Sequence, residues 1–139
     1  MPNLVRDVMT ADPATVSPRT TLLEAARLMR EADIGEVPVV EGRRLVGILT
    51  DRDLVVRGIA PDLDVHEVPV SRVCSTDVVS VAPDDPLEQA VAQMRDRAVR
   101  RLPVVDDNAV VGVITIGDLA MAKEPGSLLA EISNAVPNV

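Results

Sequence analysis

The sequence predicts an α+β fold built from two copies of one unit, each a small sheet with helices packed on it. The first observation is an internal repeat: shifted by 65 residues, residues 5–54 align with residues 70–119 without a gap, and 17 of these 50 pairs are identical. The second is that each copy combines one apolar pattern of helical spacing with two short β-branched runs. Because a unit of roughly 50 residues is marginal alone, we expect the two copies to pack together.

Each copy begins with a short valine segment, at residues 14–16 or 79–81, followed by helix-start residues. In the first copy, Thr20 or Thr21 is expected to cap the helix. In the second, Asp85 is expected as the N-cap, with Pro86 at the first helical position. The apolar residues that follow have the spacing of one buried helical face. They are Leu22, Ala25, Ala26 and Met29 in the first copy, and Leu87, Ala90, Val91 and Met94 in the second.

Two short runs after each helix predict a β-hairpin. The runs are 37–40 and 45–50 in the first copy, and 102–105 and 110–115 in the second, with polar residues between them. A second helix is expected to follow Thr50 and to end before Gly58, a residue type common just after a helix. Residues 59–69 are interpreted as a linker. The predicted organisation is therefore residues 1–65, residues 66–124, and a helical tail over 125–139.

Composition excludes several classes of function. The net charge is −8, which would repel nucleic-acid phosphates, and the chain contains no Phe, Tyr or Trp on which bases could stack. No apolar run approaches the roughly 18 residues of a membrane helix. The single cysteine, Cys74, cannot form an intrachain disulfide, and no signal peptide is apparent, so a cytoplasmic location is expected.

A Thr-x-x-Asp motif follows the hairpin in both copies, as Thr50 to Asp53 and Thr115 to Asp118. The structural interpretation is a capping box, in which the threonine and the acid each bond a backbone amide at a helix start. The functional interpretation is a ligand contact, because free amides and the helix dipole attract phosphate there. A carboxylate can also accept hydrogen bonds from two vicinal ribose hydroxyls. The motif alone leaves both interpretations open.

Several blocks in both copies resemble the paired CBS domain, also called the Bateman module. These blocks are residues 6–10, 34–40, 47–54, 99–106 and 112–119. The resemblance implies a pseudo-twofold pair, commonly dimerised into a disc, that binds an adenosine-containing ligand in clefts between the repeats. The expected ligand is AMP, ADP or ATP, with NAD or S-adenosylmethionine as weaker candidates. A homodimer and a protein partner of unknown identity are expected as well.

The resemblance also assigns roles to individual residues. It implies that Asp53 and Asp118 bind ribose, and that Thr50 and Thr115 lie on the phosphate side. It places Arg100 and Arg101 at the phosphates, across the cleft from Asp53, with Arg52 assisting. The guanidinium group suits this role because its fork matches phosphate geometry. The expected adenine surroundings are Thr15, Val16, Val37 and Leu102, together with Ser80 and Val81.

The two clefts are expected to differ. The first copy has Gly35 and Glu36 where the second has Arg100 and Arg101, and Glu36 would repel an anion. Ile116 and Gly117 also replace Asp51 and Arg52 in the second copy. We therefore expect phosphate binding at the Asp53 cleft. The Asp118 cleft would tolerate a neutral or cationic adenosyl compound better.

We conclude from the sequence that the chain is a non-catalytic ligand-sensing module. An enzyme is the first alternative, but few groups can titrate near neutral pH: the chain has one histidine, His66, and no tyrosine. His66 has no Cys or His partner at metal-ligand spacing, so no metal site is expected. Cys74 aligns with Met9 and is interpreted as a small buried hydrophobic residue. The second alternative is a ligand-free interaction and dimerisation scaffold.

Overall fold

The computed structural model describes residues 3–123, which contain five strands together with several short helices. The helices are α1 (Val5–Val8), α2 (Leu22–Ala32), α3 (Asp51–Asp53), α4 (Leu87–Arg97) and α5 (Ile116–Lys123), with a π-helix at Leu54–Ile59 and a 3-10 helix at Val70–Arg72. The strands are β1 (Thr10–Ala11), β2 (Glu36–Glu41), β3 (Arg44–Thr50), β4 (Arg101–Asp106) and β5 (Ala109–Thr115). The predicted α+β class is confirmed. The expected helical tail, 125–139, lies outside the described residues.

The chain divides into two compact units. The first-repeat unit contains residues 13–78 and 107–110, and the second-repeat unit contains, among the described residues, 3–12, 79–106 and 111–123. The expected boundary at residue 65 follows the sequence repeat. The two compact units do not follow this boundary. Residues 3–12, which precede the first repeat, belong to the second-repeat unit, and residues 66–78, which precede the second repeat, belong to the first-repeat unit.

The first-repeat unit is built on the hairpin of β2 and β3. The strands pair antiparallel, with Val37 opposite Leu49, and a bulge interrupts the register between Val39 and Val40. Gly42 supplies the positive φ of 65° in the turn, a conformation that glycine adopts without a side-chain clash. The valine segment expected at 14–16 contributes a single parallel bridge, from Val16 to Val39, rather than a strand.

Residues 66–78 complete this unit. The amide of Leu22 donates to the carbonyl of Val68 at 3.0 Å, and the amide of Val70 donates to the carbonyl of Thr20 at 2.7 Å. Val70 is 0% exposed in the core that also contains Leu22, Val37 and Leu49. The expected linker is therefore largely part of the first-repeat unit.

The second-repeat unit has the same plan. β4 pairs with β5, and β1 pairs antiparallel with β5, with Thr10 opposite Val113. The amide of Val5 donates to the carbonyl of Asp85 at 2.9 Å, and the side chain of Val5 is completely buried in this core. Residues 3–11 thus complete the core of the second-repeat unit, as residues 66–78 complete the core of the first-repeat unit.

The helix caps follow the prediction only in part. Thr21 caps α2 as expected: its Oγ1 accepts from the Glu24 amide at 3.2 Å, and the hydrogen bond from the Thr21 hydroxyl lowers the pKa of Glu24. The prediction for Asp85 was wrong, because α4 begins at Leu87 with Pro86 as the N-cap. The Asp85 carboxylate instead accepts from the amide of Ala82 at 2.8 Å. Asp85 therefore stabilises the preceding turn, not the helix.

Gly58 does not follow the second helix, as had been predicted, but lies within the π-helix. It is buried, and a Cβ atom on it would lie 3.0 Å from Cδ1 of Leu22. A side chain at position 58 would thus require Leu22 to shift by a few tenths of an ångström, so the glycine fits close packing against α2 rather than a helix end.

Candidate functional site

The first Thr-x-x-Asp motif forms the predicted capping box at the end of β3. Thr50 Oγ1 accepts from the amide of Asp53 at 3.0 Å, and Asp53 Oδ2 accepts from the amide of Thr50, also at 3.0 Å. Only one carboxylate oxygen, Oδ2, takes part in this box. The carboxylate is 17% exposed, and its other oxygen, Oδ1, lies 3.9 Å from Nη1 of Arg57. The cap therefore leaves Oδ1 available to a hydroxyl donor.

The second motif repeats this geometry at the end of β5. The amide of Asp118 donates to Thr115 Oγ1 at 3.1 Å, and the amide of Thr115 donates to Asp118 Oδ2 at 2.9 Å. The structural interpretation of both motifs is thus confirmed. It does not exclude ligand binding, because the box occupies one oxygen of each carboxylate.

Within each unit, the start of the hairpin contacts the helix that follows it. The amide of Asp51 donates to the carbonyl of Gly35 at 2.9 Å, and the amide of Ile116 donates to the carbonyl of Arg100 at 2.8 Å. A Cβ atom on Gly35 would lie 2.9 Å from Oδ2 of Asp51, so the absence of a side chain makes room for this carboxylate. This close approach was not foreseen from the sequence.

The structure places the basic and acidic residues of the expected clefts in different units. Glu36 is paired with Thr50 in the hairpin register and lies in the unit of Asp53, whereas Arg100 and Arg101 lie in the unit of Asp118. Arg100, Arg101 and Arg52 are exposed. The pairing of Asp53 with Arg100 and Arg101 stays a prediction.

The residues expected around adenine are mostly core residues. Val37 and Leu102 are both 0% exposed, and Val16 is 6% exposed, whereas Thr15 is exposed. Their contact with an adenine ring stays a prediction. In this structure, only Thr15 among these four presents substantial surface.

A cavity of about 370 Å³ lies in the first-repeat unit, between the hairpin and the segment that completes the unit. It is lined by Pro18, Val39, Glu41, Arg44, Val46, Ser71, Cys74 and Thr76. None of the predicted ligand residues lines it. Burial raises the pKa of the Cys74 thiol, and the charge of Asp53 raises it further. Cys74 is therefore a protonated, half-buried thiol at neutral pH, in keeping with the structural role expected for it.

Over residues 3–123, no group of three or more His, Cys, Asp and Glu side chains could hold a metal ion. His66 donates its amide to Oδ1 of Asp64 at 3.0 Å in a local turn. The helices in this part of the chain are all too short or too polar to cross a bilayer.

Comparison with known families matches the CBS domain twice, at residues 5–58 and 70–124. The chain belongs to the CBS-domain family. CBS domain-containing protein YhcV of Bacillus subtilis is 47% identical over 134 residues, which cover 94% of this chain and 95% of YhcV. Hypoxic response protein 1 of Mycobacterium tuberculosis is 35% identical over 116 residues, covering 83% of this chain and 81% of that protein.

Solved CBS structures share the fold. The crystal structure of hypoxic response protein 1, with two coordinated zinc ions, gives a TM-score of 0.78 over 84% of this chain and 96% of that chain, at 35% identity. The CBS domain pair of protein MJ0100, in complex with 5′-methylthioadenosine and S-adenosylmethionine, gives 0.77 over 89% and 98%, at 25% identity. The chain is thus a small CBS pair.

Arg57, the residue that meets the free oxygen of Asp53, was not among the site residues predicted from the sequence. The signal was present: Arg57 follows Asp53 by four residues, and an acid and a base at that spacing lie on one helix face.

Proposed function

We propose that this CBS pair is a non-catalytic regulatory module that binds an adenosine-containing nucleotide at the Thr50–Asp53 cap. The observation that carries the proposal is the Asp53 carboxylate, held by Thr50 through Oδ2 with Oδ1 outside the capping box. A fixed carboxylate of this kind can accept hydrogen bonds from ribose hydroxyls without reorganising the helix start. The amides at the start of the helix favour a nearby phosphate.

The proposed ligand is AMP, ADP or ATP, with NAD and S-adenosylmethionine as weaker candidates. Complexes of the MJ0100 pair with two adenosyl compounds support this class of ligand. As the family resemblance implies, we assign Asp53 to the ribose of this ligand, and Arg100, Arg101 and Arg52 to its phosphates. The Asp118 cap, with Thr115, is proposed as a weaker site.

Signalling would follow from differential affinity: a nucleotide that prefers one conformation of the protein increases the population of that state. A homodimer and a partner protein that recognises the state are part of the proposal, as is a cytoplasmic location. A further protein contact is supported by three exposed apolar residues in the π-helix. They are Val55, Val56 and Ile59, which are 56%, 45% and 61% exposed.

The test is a calorimetric titration with AMP, ATP, adenosine and S-adenosylmethionine. We expect AMP or ATP to saturate near one strong site per chain. Asp53→Ala should abolish this binding, whereas Asp118→Ala should leave it nearly intact. The two variants are matched, because each loses an equivalent cap. Arg101→Ala should weaken nucleotide binding by about ten- to hundredfold, the range for a hydrogen bond to a charged group.

Loss of binding in Asp118→Ala alone would show that the aspartates are paired with the wrong arginines. If no adenosyl compound binds or raises the melting temperature, the ligand-free scaffold replaces the sensor, because any native-state ligand stabilises by mass action. Turnover of ATP or AMP by the pure protein would show an enzyme.

A further inference from the structure

The two Thr-x-x-Asp caps have matching hydrogen bonds but are followed by different helices. After Asp118 the chain continues as a regular α-helix to Lys123, whereas after Asp53 it widens into the π-helix over Leu54–Ile59. The amide of Ala60 donates to the carbonyl of Val55 at 2.9 Å, across the five-residue spacing of a π-helix. Wide turns of this kind are rare and are frequently found at functional sites.

Packing holds this turn in place. Leu54 and Gly58 are buried, and Gly58 lies so close to α2 that a Cβ atom would reach Leu22 Cδ1 at 3.0 Å. Between these two residues, Arg57 is half-exposed, with a side-chain exposure of 52%. The π-helix thus places Arg57 beside Asp53, with about half of its side chain exposed to solvent.

Arg57 meets the carboxylate oxygen that the cap does not use. Its Nη1 lies 3.9 Å from Asp53 Oδ1, which is beyond hydrogen-bond distance but within range of charge attraction. A ribose hydroxyl could therefore take Oδ1 without breaking a formed hydrogen bond. The second copy has no equivalent cation, because the residue four positions after Asp118 is Ala122.

Charge makes Arg57 important for an anionic ligand. The acids at this cap are Glu36, Asp51 and Asp53, and the cations on the same helical segment are Arg52 and Arg57. Without Arg57, the first-repeat unit would offer a phosphate at this cap one guanidinium against three carboxylates, so the proposed contacts with Arg100 and Arg101 would have to offset the remaining repulsion. Repulsion between like charges would then disfavour a nucleotide more than an uncharged nucleoside.

We propose that Arg57 determines the charge class of ligand accepted by the Thr50–Asp53 cap. In the free protein it is paired with Asp53. When ribose occupies Oδ1, the guanidinium moves to a phosphate oxygen of the nucleotide. This inference rests on the proposed function and adds a specificity residue to it.

The test compares AMP with adenosine in calorimetric titrations of Arg57→Gln. AMP affinity should fall by about ten- to hundredfold, while adenosine affinity changes less than about twofold. Arg57→Lys should retain much of the AMP affinity, because it keeps the charge. Arg30→Gln is the matched control: it removes another exposed arginine of this unit, ion-paired with Glu31 at 3.7 Å, and changes net charge equally. It should bind AMP normally.

Unchanged AMP affinity in Arg57→Gln would refute this inference and leave the proposed function standing. Equal losses for AMP and adenosine would also refute it, since Arg57 would then support Asp53 or the fold rather than a phosphate. If the unsubstituted protein binds neither compound, the proposed function fails and this inference fails with it.

Discussion

At the residue scale, the Asp53 carboxylate takes part in three interactions, and the local sequence around Asp53 predicts only some of them. Its carboxylate closes the cap with Thr50, attracts Arg57, and acts on the thiol of Cys74. The cap and Arg57 lie within four residues of Asp53, whereas Cys74 is brought near by folding. A substitution at Asp53 should therefore change the chemistry of a cysteine far along the chain.

We expect the native Cys74 thiol to react slowly with a thiol reagent such as dithiobis(nitrobenzoate) at pH 7. Burial raises its pKa first, and the Asp53 charge raises it further, so the reactive thiolate forms only at higher pH than in a free cysteine. Asp53→Asn should move the rate profile to lower pH, and Asp118→Asn should not. A profile unmoved by Asp53→Asn would contradict the assigned cause.

The raised pKa of Cys74 also makes the stability of the folded protein depend on pH. The folded state holds the thiol proton more tightly than the unfolded state, so this contribution is fully present below the pKa of the unfolded thiol. It is lost as the pH rises through the pKa of the folded thiol. Cys74→Ala should therefore remove one source of alkaline destabilisation.

At the element scale, the helix that follows the first cap has two faces. Leu54 and Gly58 pack inward, whereas Val55, Val56 and Ile59 are exposed. Three exposed apolar side chains on a six-residue element form a candidate surface for contact with another protein. A second copy of this chain is the proposed occupant, since most oligomers of this kind are symmetric dimers.

Light scattering at tens of micromolar should therefore give the mass of a dimer. Ile59→Glu should shift the protein toward the monomer, because it places a charge in the apolar contact. Val99→Glu, at a residue 38% exposed and outside the π-helix, is the control and should leave the mass unchanged. A monomer mass for the unsubstituted protein would overturn the dimer.

At the scale of the whole molecule, each compact unit includes the segment that precedes the other repeat. Val5 and Val70 are aligned in the repeat, and both are 0% exposed. Val5 lies in the core of the second-repeat unit, and Val70 lies in the core of the first-repeat unit. Each repeat is therefore completed by residues outside its own hairpin and helices.

Val5→Ala and Val70→Ala should each destabilise by roughly 2 kcal/mol, the cost of deleting buried methyl groups and leaving a cavity. Hydrogen exchange should separate their effects. Val5→Ala should accelerate exchange in β4 and β5, and Val70→Ala should accelerate it in β2 and β3. Each variant serves as the control for the other, and identical exchange patterns would contradict the division into these units.

Local sequence patterns were enough to predict the repeat, the hairpins, a helix cap at Thr20 or Thr21 and both Thr-x-x-Asp boxes. These features depend on local spacing: apolar residues at helical intervals, turn residues between β-branched runs, and an acid three residues after a threonine. The elements that failed, the cap at Asp85 and the helix end at Gly58, are boundaries, where one residue type is compatible with several local structures.

Which segment completes which unit, and where the chain widens into a π-helix, became clear only from the folded structure. Val5 and Val70 are the same residue at equivalent positions, so no local preference assigns either one to a particular core. That choice depends on long-range contacts, such as the amide of Val5 with Asp85 and the amide of Val70 with Thr20. Gly58, within the π-helix, likewise lies close to Leu22, and this is a contact between residues far apart in sequence.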